Sequence, residues 1–459
     1  MSRPAPRRSP FSLPPAWPAC VLVTTTSMSV YSILLPGGIH LAPAHAFIFL
    51  FLPIFLFRLL RGDARMNLPL SVKLLFFYTI WSTVGVVLSG MQWPSIRGLG
   101  VQVVNNLVLL YTMTSLRTDE DVEGTATCFI LVGSLTMVMC LVEFIGYVAF
   151  DRIILAPFVD AATNLDDESL IDGSRKLFGG YGFGGGLMRM HGFFTSINRV
   201  GSYLLIPFGL ALYRAFHHPR NRRWYGLLAS LLGVTILMSL ARNAYAGFLI
   251  LTGILAFQWA KTYVRRSAIV GGAALFTLLL YLNTNTGYLF LDRANPFATM
   301  ERDPGAATAL LIFLDGIGAS IAANFDTVFV GQGLQLYDTW AYATGWVRWW
   351  GAHSDFIMFL GESGLPGFLA HVFAVWLISR TCWRQYQAQL RAGASPRSLY
   401  LLAIYLAVVS TGITRTYYFT DVSYILIAFI LRATLIEQRR PSAADPTAPR
   451  ARRPLLTQA

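Results

Sequence analysis

Apolar and polar residues come in blocks along this chain. A helix needs about 20 apolar residues to cross a bilayer, at 1.5 Å per residue. Runs of that kind recur at roughly 17–36, 41–60, 72–91, 98–116, 125–149, 200–216, 224–241, 243–260, 267–286, 355–379, 398–414 and 419–436. The pattern predicts an all-α polytopic membrane protein with about 12 transmembrane helices. Arg3, Arg7 and Arg8 precede the first run as in a signal sequence. No small-residue cleavage site follows, so this run reads as an uncleaved first helix.

Two polar stretches interrupt the blocks. They divide the chain into helices one to nine over 1–286, with a first external loop at about 150–199, a large external loop over 287–353, and helices ten to twelve over 354–436. Residues 437–459 read as a disordered, basic tail. Within the large loop, 305–323 is moderately apolar but carries Asp315 and several glycines. It reads as a short helix lying on or dipping into the interface. Residues 346–367 join a charged, aromatic segment to an apolar run, with His353 at the junction.

Composition supports a lipid solvent. Only 13% of the 459 residues are charged, against about 25% in soluble domains. Aromatics at 14% suit interfacial belts of Trp and Tyr. The net charge of +13 is a matter of orientation rather than of nucleic-acid binding. With both termini cytoplasmic, 25 of the 36 lysines and arginines fall on the cytoplasmic side, as the positive-inside rule requires. Cys20, Cys128, Cys140 and Cys382 lack metal-ligand spacing and read as small buried hydrophobes.

That orientation isolates a few external cations. Arg242 lies 19 residues after Arg223 and 19 before Lys261. Nineteen residues span about 28 Å of helix, so Arg242 falls at the outer tip of a helical hairpin. It either snorkels to headgroups or serves a ligand. Arg189 and Arg199 flank the start of the sixth run, with His191 beside the first of them. Guanidinium forks match phosphate oxygens, so this set suits a lipid-linked pyrophosphate; singly, each arginine also suits a lipid phosphate or a loop salt bridge. His353 precedes Ser354 and Asp355, which resemble an N-cap and first-turn acid. A helix N-terminus favours the neutral imidazole that a general base requires, although a structural histidine fits the same position. Arg348 offers an anion contact, and Trp349 and Trp350 offer stacking platforms for sugars. The run Gly179–Gly186 lacks the lysine of a phosphate-binding loop and reads as flexible. No metal constellation and no cofactor signature is present in the sequence.

The motifs resemble a family. His353-Ser354, nine residues and Gly364-x-x-Gly367 match a pattern of O-antigen ligases and of O-antigen and exopolysaccharide polymerases. Glu362–Gly367 is similar to the continuation of that pattern, and Val330-Gly331-Gln332-Gly333 to its lead-in. Ser239–Arg242 resembles the family's Ser-Arg hairpin with two residues inserted. Arg189–Asn198 resembles a further run without its usual proline. The resemblance covers about 180–370. It implies a metal-independent, inverting glycosyltransferase of the GT-C-like kind in the bacterial inner membrane, acting at the periplasmic face. The donor would be a glycan on undecaprenyl pyrophosphate. In family terms His353 activates or orients the acceptor hydroxyl, and Arg242 and Arg189 hold the leaving pyrophosphate. The acceptor would be another lipid-linked glycan, for a polymerase, or lipid A-core, for a ligase; the His-Ser-Asp-Phe form is closer to exopolysaccharide polymerases. Partners among the polysaccharide assembly machinery are compatible with either. A lipid-glycan flippase shares the span count, but it is expected to show repeat symmetry and charges within its spans.

Overall fold

A computed structural model describes residues 16–27, 33–35, 39–41, 43–60, 68–150, 197–239, 241–262, 304–345, 354–414 and 421–438. Among these the architecture is almost wholly helical. The helices are α1 (Trp17–Ser27), α2 (Pro43–Leu60), α3 (Leu70–Leu88), α4 (Trp93–Ser115), α5 (Asp119–Phe150), α6 (Ile197–His217), α7 (Arg222–Met238), α8 (Arg242–Thr262), α9 (Pro304–Asp326), α10 (Tyr337–Ala343), α11 (Asp355–Arg391), α12 (Arg397–Thr414) and α13 (Asp421–Gln438). Among the described residues, three stretches are long and apolar enough to cross a membrane: Leu70–Leu88, Asp119–Gly146 and Asp355–Arg391. The run expected at 267–286 lies outside the described residues.

The first run is shorter than its hydropathy suggested. Helix α1 ends at Ser27, and Ile33–Leu35 (β1) pairs antiparallel with Ile39–Leu41 (β2). Apolar content alone does not distinguish a short strand from a helix. Two other starts lie earlier than expected, each with a local cause. Pro94 occupies the first turn of α4, where its missing N–H costs nothing. Thr118 and Asp121 form a reciprocal cap on α5: Asp121 Oδ2 accepts from the Thr118 N–H at 2.9 Å, and Thr118 Oγ1 from the Asp121 N–H at 3.2 Å.

The burial pattern suits lipid. Leu131, Leu135, Val138, Val142 and Ile145 form an exposed apolar stripe along α5, while Thr125, Thr136 and Glu143 on the same helix are buried. In water such a stripe would drive association. Small residues let the helices meet inside: a Cβ on Gly133 would collide with Pro207, and one on Gly209 with Ile404.

One end of the bundle is fastened by charge. Arg214 Nη2, on α6, bonds Glu123 Oε2 at 3.1 Å and Thr127 Oγ1 at 2.7 Å on α5. Arg397 Nη1, on α12, lies 3.4 Å from Asp119, 3.5 Å from Glu123 and 3.8 Å from Glu437 of α13. Arg432 Nε also donates to the Leu116 carbonyl after α4, at 2.6 Å. The segments bearing Arg214, Arg397 and Arg432, which the sequence assigns to one face, thus share one end of the structure. Removing the guanidinium would leave three carboxylates facing one another. Arg397→Met is expected to lower stability by about 3 kcal/mol, measured as thermal unfolding in detergent. A loss below about 0.5 kcal/mol would show that the carboxylates are solvated as readily as surface ones.

Candidate functional site

Helix α11 begins where the sequence places it, one residue after Ser354, which is extended at φ −150° and buried. Ser354 is the N-cap residue and Asp355 the first-turn acid, as expected, but the Ser354 side chain makes no capping bond. Nor is the helix a single rod. Gly364 leaves helical geometry at φ 68°, ψ −174°, a region open essentially to glycine alone. Phe359 and His371 would stand about 18 Å apart along a straight helix, yet their ring centroids are 4.8 Å apart. Phe356 also reaches His371, at 6.3 Å, and Tyr78 of α3 contacts Phe359 and His371. Residues 355–363 are therefore a separate arm bent back against the next turns. The expected span at 355–379 lies within α11, with a break at Gly364 that its hydropathy does not register. His371, read as a mid-span histidine with no evident partner, is buried against this arm.

Pro366 explains half of the break. It has no N–H to offer the Glu362 carbonyl one turn back. Other groups meet the carbonyls so freed. The Gly333 N–H donates to Glu362 O at 3.0 Å, and the Gln332 N–H to Gly361 O at 2.8 Å. Trp81 Nε1 of α3 donates to Ser363 O at 2.9 Å. Asn324 of α9 acts on both sides of the bend: Nδ2 donates to Leu360 O at 2.7 Å, and Oδ1 accepts from the Leu365 N–H at 2.8 Å. Glu362 Oε1 accepts from the Gln335 N–H at 2.7 Å. The loop before α10 twists to present these donors, with positive φ at Val328, Phe329, Gly331, Gly333 and Gln335. Positive φ at a β-branched valine is strained, and the bonds around the bend hold it there.

Around this core, Ser320 Oγ donates to Ile357 O at 2.9 Å, and Tyr337 OH to Gly316 O at 2.7 Å. Burial pushes the Tyr337 phenol up to about 12, so it remains a donor at neutral pH. Gly361 lies against the Tyr337 ring with no room for a Cβ. The expected helix at 305–323 is thus present as α9, with Ser320 and Asn324 turned to the arm and Leu314, Ile321 and Phe325 exposed.

The two glycine motifs at 330–333 and 362–367, remote in sequence, are in direct backbone contact. The chemistry-bearing residues are less fully placed. His353, Arg189, His191, Arg348, Trp349 and Trp350 lie outside the described residues. Arg242 is the first residue of α8, at the tip of the expected hairpin, with its side chain outside the description. Arg199 is half-buried in the first turn of α6. These two turns pack together: Gly201 meets Ala241 and Ala244, and Asn243 Nδ2 donates to Ser202 Oγ at 3.2 Å. Among the described residues no His, Cys, Asp and Glu cluster forms a metal site. Asn324 and Trp81 were not singled out by sequence. The one available signal is the spacing Gly316, Ser320, Asn324, a small and polar face on an otherwise apolar helix.

Compared with known proteins, the chain matches no protein-family model and no curated protein.

The bend yields a paired test. A Cβ on Gly364 would collide with the Phe329 carbonyl, whereas Gly393, also at positive φ (62°), has open space around it. Gly364→Ala is expected to cost more than about 3 kcal/mol and Gly393→Ala about 1 kcal/mol, measured by thermal unfolding in detergent. Equal losses would show that the bend is not tightly packed.

Proposed function

We propose that this protein is a glycosyltransferase of the bacterial inner membrane that polymerises glycans carried on undecaprenyl pyrophosphate at the periplasmic face. The observation that supports it best is the broken helix. The segments that resemble the ligase and polymerase motifs, 330–333 and 362–367, assemble around one bend, and the arm leading into that bend begins two residues after His353. In this reading the chain has about 12 spans with both termini cytoplasmic, and the bend lies toward the periplasm.

The chemistry follows from the residues. The acceptor hydroxyl oxygen attacks the anomeric carbon of the donor. The bond from that carbon to the pyrophosphate oxygen breaks, and the electron pair leaves with the lipid pyrophosphate, inverting the centre. His353 takes the hydroxyl proton. Arg189, Arg199 and Arg242 stabilise the charge that develops on the leaving group, the task of preorganised cations in a transfer of this kind. The pairing of the first turns of α6 and α8 supports joint action by Arg199 and Arg242. His191 assists beside Arg189, while Arg348, Trp349 and Trp350 bind the sugar chain. A ligase that transfers the glycan to lipid A-core would use the same parts. A flippase must open both ends alternately, and the charged fastening of α5, α6, α12 and α13 opposes that motion.

His353→Ala and Arg242→Ala are each expected to reduce transfer at least about 100-fold without impairing membrane insertion. Arg242→Lys should recover little, because an ammonium lacks the planar fork. Normal transfer by both alanine variants would sink the mechanism. Gene deletion followed by electrophoresis of surface glycans separates the acceptors. Lost exopolysaccharide or single-repeat capping indicates a polymerase; core-only lipopolysaccharide with intact free polymer indicates a ligase.

A further inference from the structure

We infer that Asn324 is a positioning residue for this reaction, acting as a splint that sets the direction of the arm before Gly364; the inference rests on the transferase reading above. Its carboxamide replaces a peptide group that the helix lacks. Along an unbroken helix the Leu360 carbonyl would pair with the Gly364 N–H, and the Leu365 N–H with the Gly361 carbonyl. At the bend the Leu360 carbonyl and the Leu365 N–H are bridged instead by one side chain from another helix, at 2.7 and 2.8 Å. Asn324 is itself fixed by a third bond, Nδ2 to Ser320 O at 2.8 Å, and it is buried. Among uncharged side chains at neutral pH, the asparagine carboxamide is the one of this length that supplies a donor and an acceptor in one plane.

The splint sits where small errors are amplified. Ser354 and Asp355 lie about 1.7 and 1.4 turns before Leu360, so a tilt at the bend displaces the start of the arm. A displacement of about 1 Å at a reacting group can cost 10²-fold in rate. Trp81 on Ser363 O ties the bend to α3. Arg97 on the side chain of Gln335, at 3.0 and 3.2 Å, ties the neighbouring loop to α4. Asn324 hydrogen-bonds the backbone on both sides of the break, and so controls its angle.

Three measurements on the full-length protein in nanodiscs test this. In Asn324→Ala, kcat per folded molecule should fall at least about tenfold, while KM for the lipid-linked donor stays within about threefold. Asn324→Asp provides the second variant. Its ionised carboxylate keeps the acceptor for Leu365 and loses the donor for Leu360; protonation restores a donor. Burial at this position raises the carboxyl above its ordinary range, so the kcat of this variant relative to the native protein should rise several-fold from about pH 8 to about pH 5.5, while the same ratio for Asn324→Ala stays flat. Amide exchange in peptides from 355–365 should speed up in Asn324→Ala, with α12 and α13 unchanged. Unchanged exchange in the arm, or unchanged kcat in Asn324→Ala, overturns the inference. So does a flat pH ratio for Asn324→Asp. If the native protein transfers no lipid-linked glycan but the exchange difference appears, the transferase reading fails and Asn324 still stands as the residue that sets the arm.

Discussion

Backbone carbonyls cannot be left bare where water is scarce, and the bend at Gly364 is organised by that constraint. Pro366 withdraws one donor and Gly364 turns the chain out of helical register. The carbonyls of residues 360–363 must then find partners from outside their own helix. They find them in Asn324 of α9, in the N–H groups of Gln332 and Gly333, and in the indole of Trp81. The positive φ angles of the loop before α10, its paired glycines and the small residues facing it are conditions for bringing those donors within 3.0 Å.

The opposite requirement governs the other end of the bundle. Arg214 and Arg397 are held by Glu123, Asp119 and Glu437, carboxylates on two other helices. Charge there holds four helix ends together, whereas at the bend uncharged amides and one carboxylate hold an irregular piece of backbone in place. Pinned ends and a locally irregular segment thus stabilise the two regions by different means.

Much of this was open to reading from the sequence. Uninterrupted apolar runs located α3, α5, α6 and α12, and the basic segments indicated which helix ends belong together. The hairpin of α7 and α8, with Arg242 at its tip, followed from the even spacing of its cations. The bend was hidden, because glycine and proline are tolerated within membrane helices and hydropathy registers neither the break nor its remedy. The apolar run at 17–36 is longer than α1, since the strand at 33–35 is as apolar as a helix would be. Asn324 escaped notice because its importance lies in two backbone groups some 40 positions away, which no local pattern records. The motif at 362–367 is visible as a pattern, but its physical meaning, a helix end supplied with donors from elsewhere, lies in groups remote from it in sequence.

The order of the chain gives that meaning a temporal side. Trp81, Arg97, Asn324, Gln332 and Gly333 all precede Gly364 in sequence. A ribosome feeding this protein into a bilayer delivers every donor before it delivers the carbonyls that need them. The irregular segment therefore meets a finished receptacle as it emerges, and α12 and α13 are added around it only afterwards. Reversing that order, as a circular permutation would, exposes the same carbonyls to lipid with nothing to receive them.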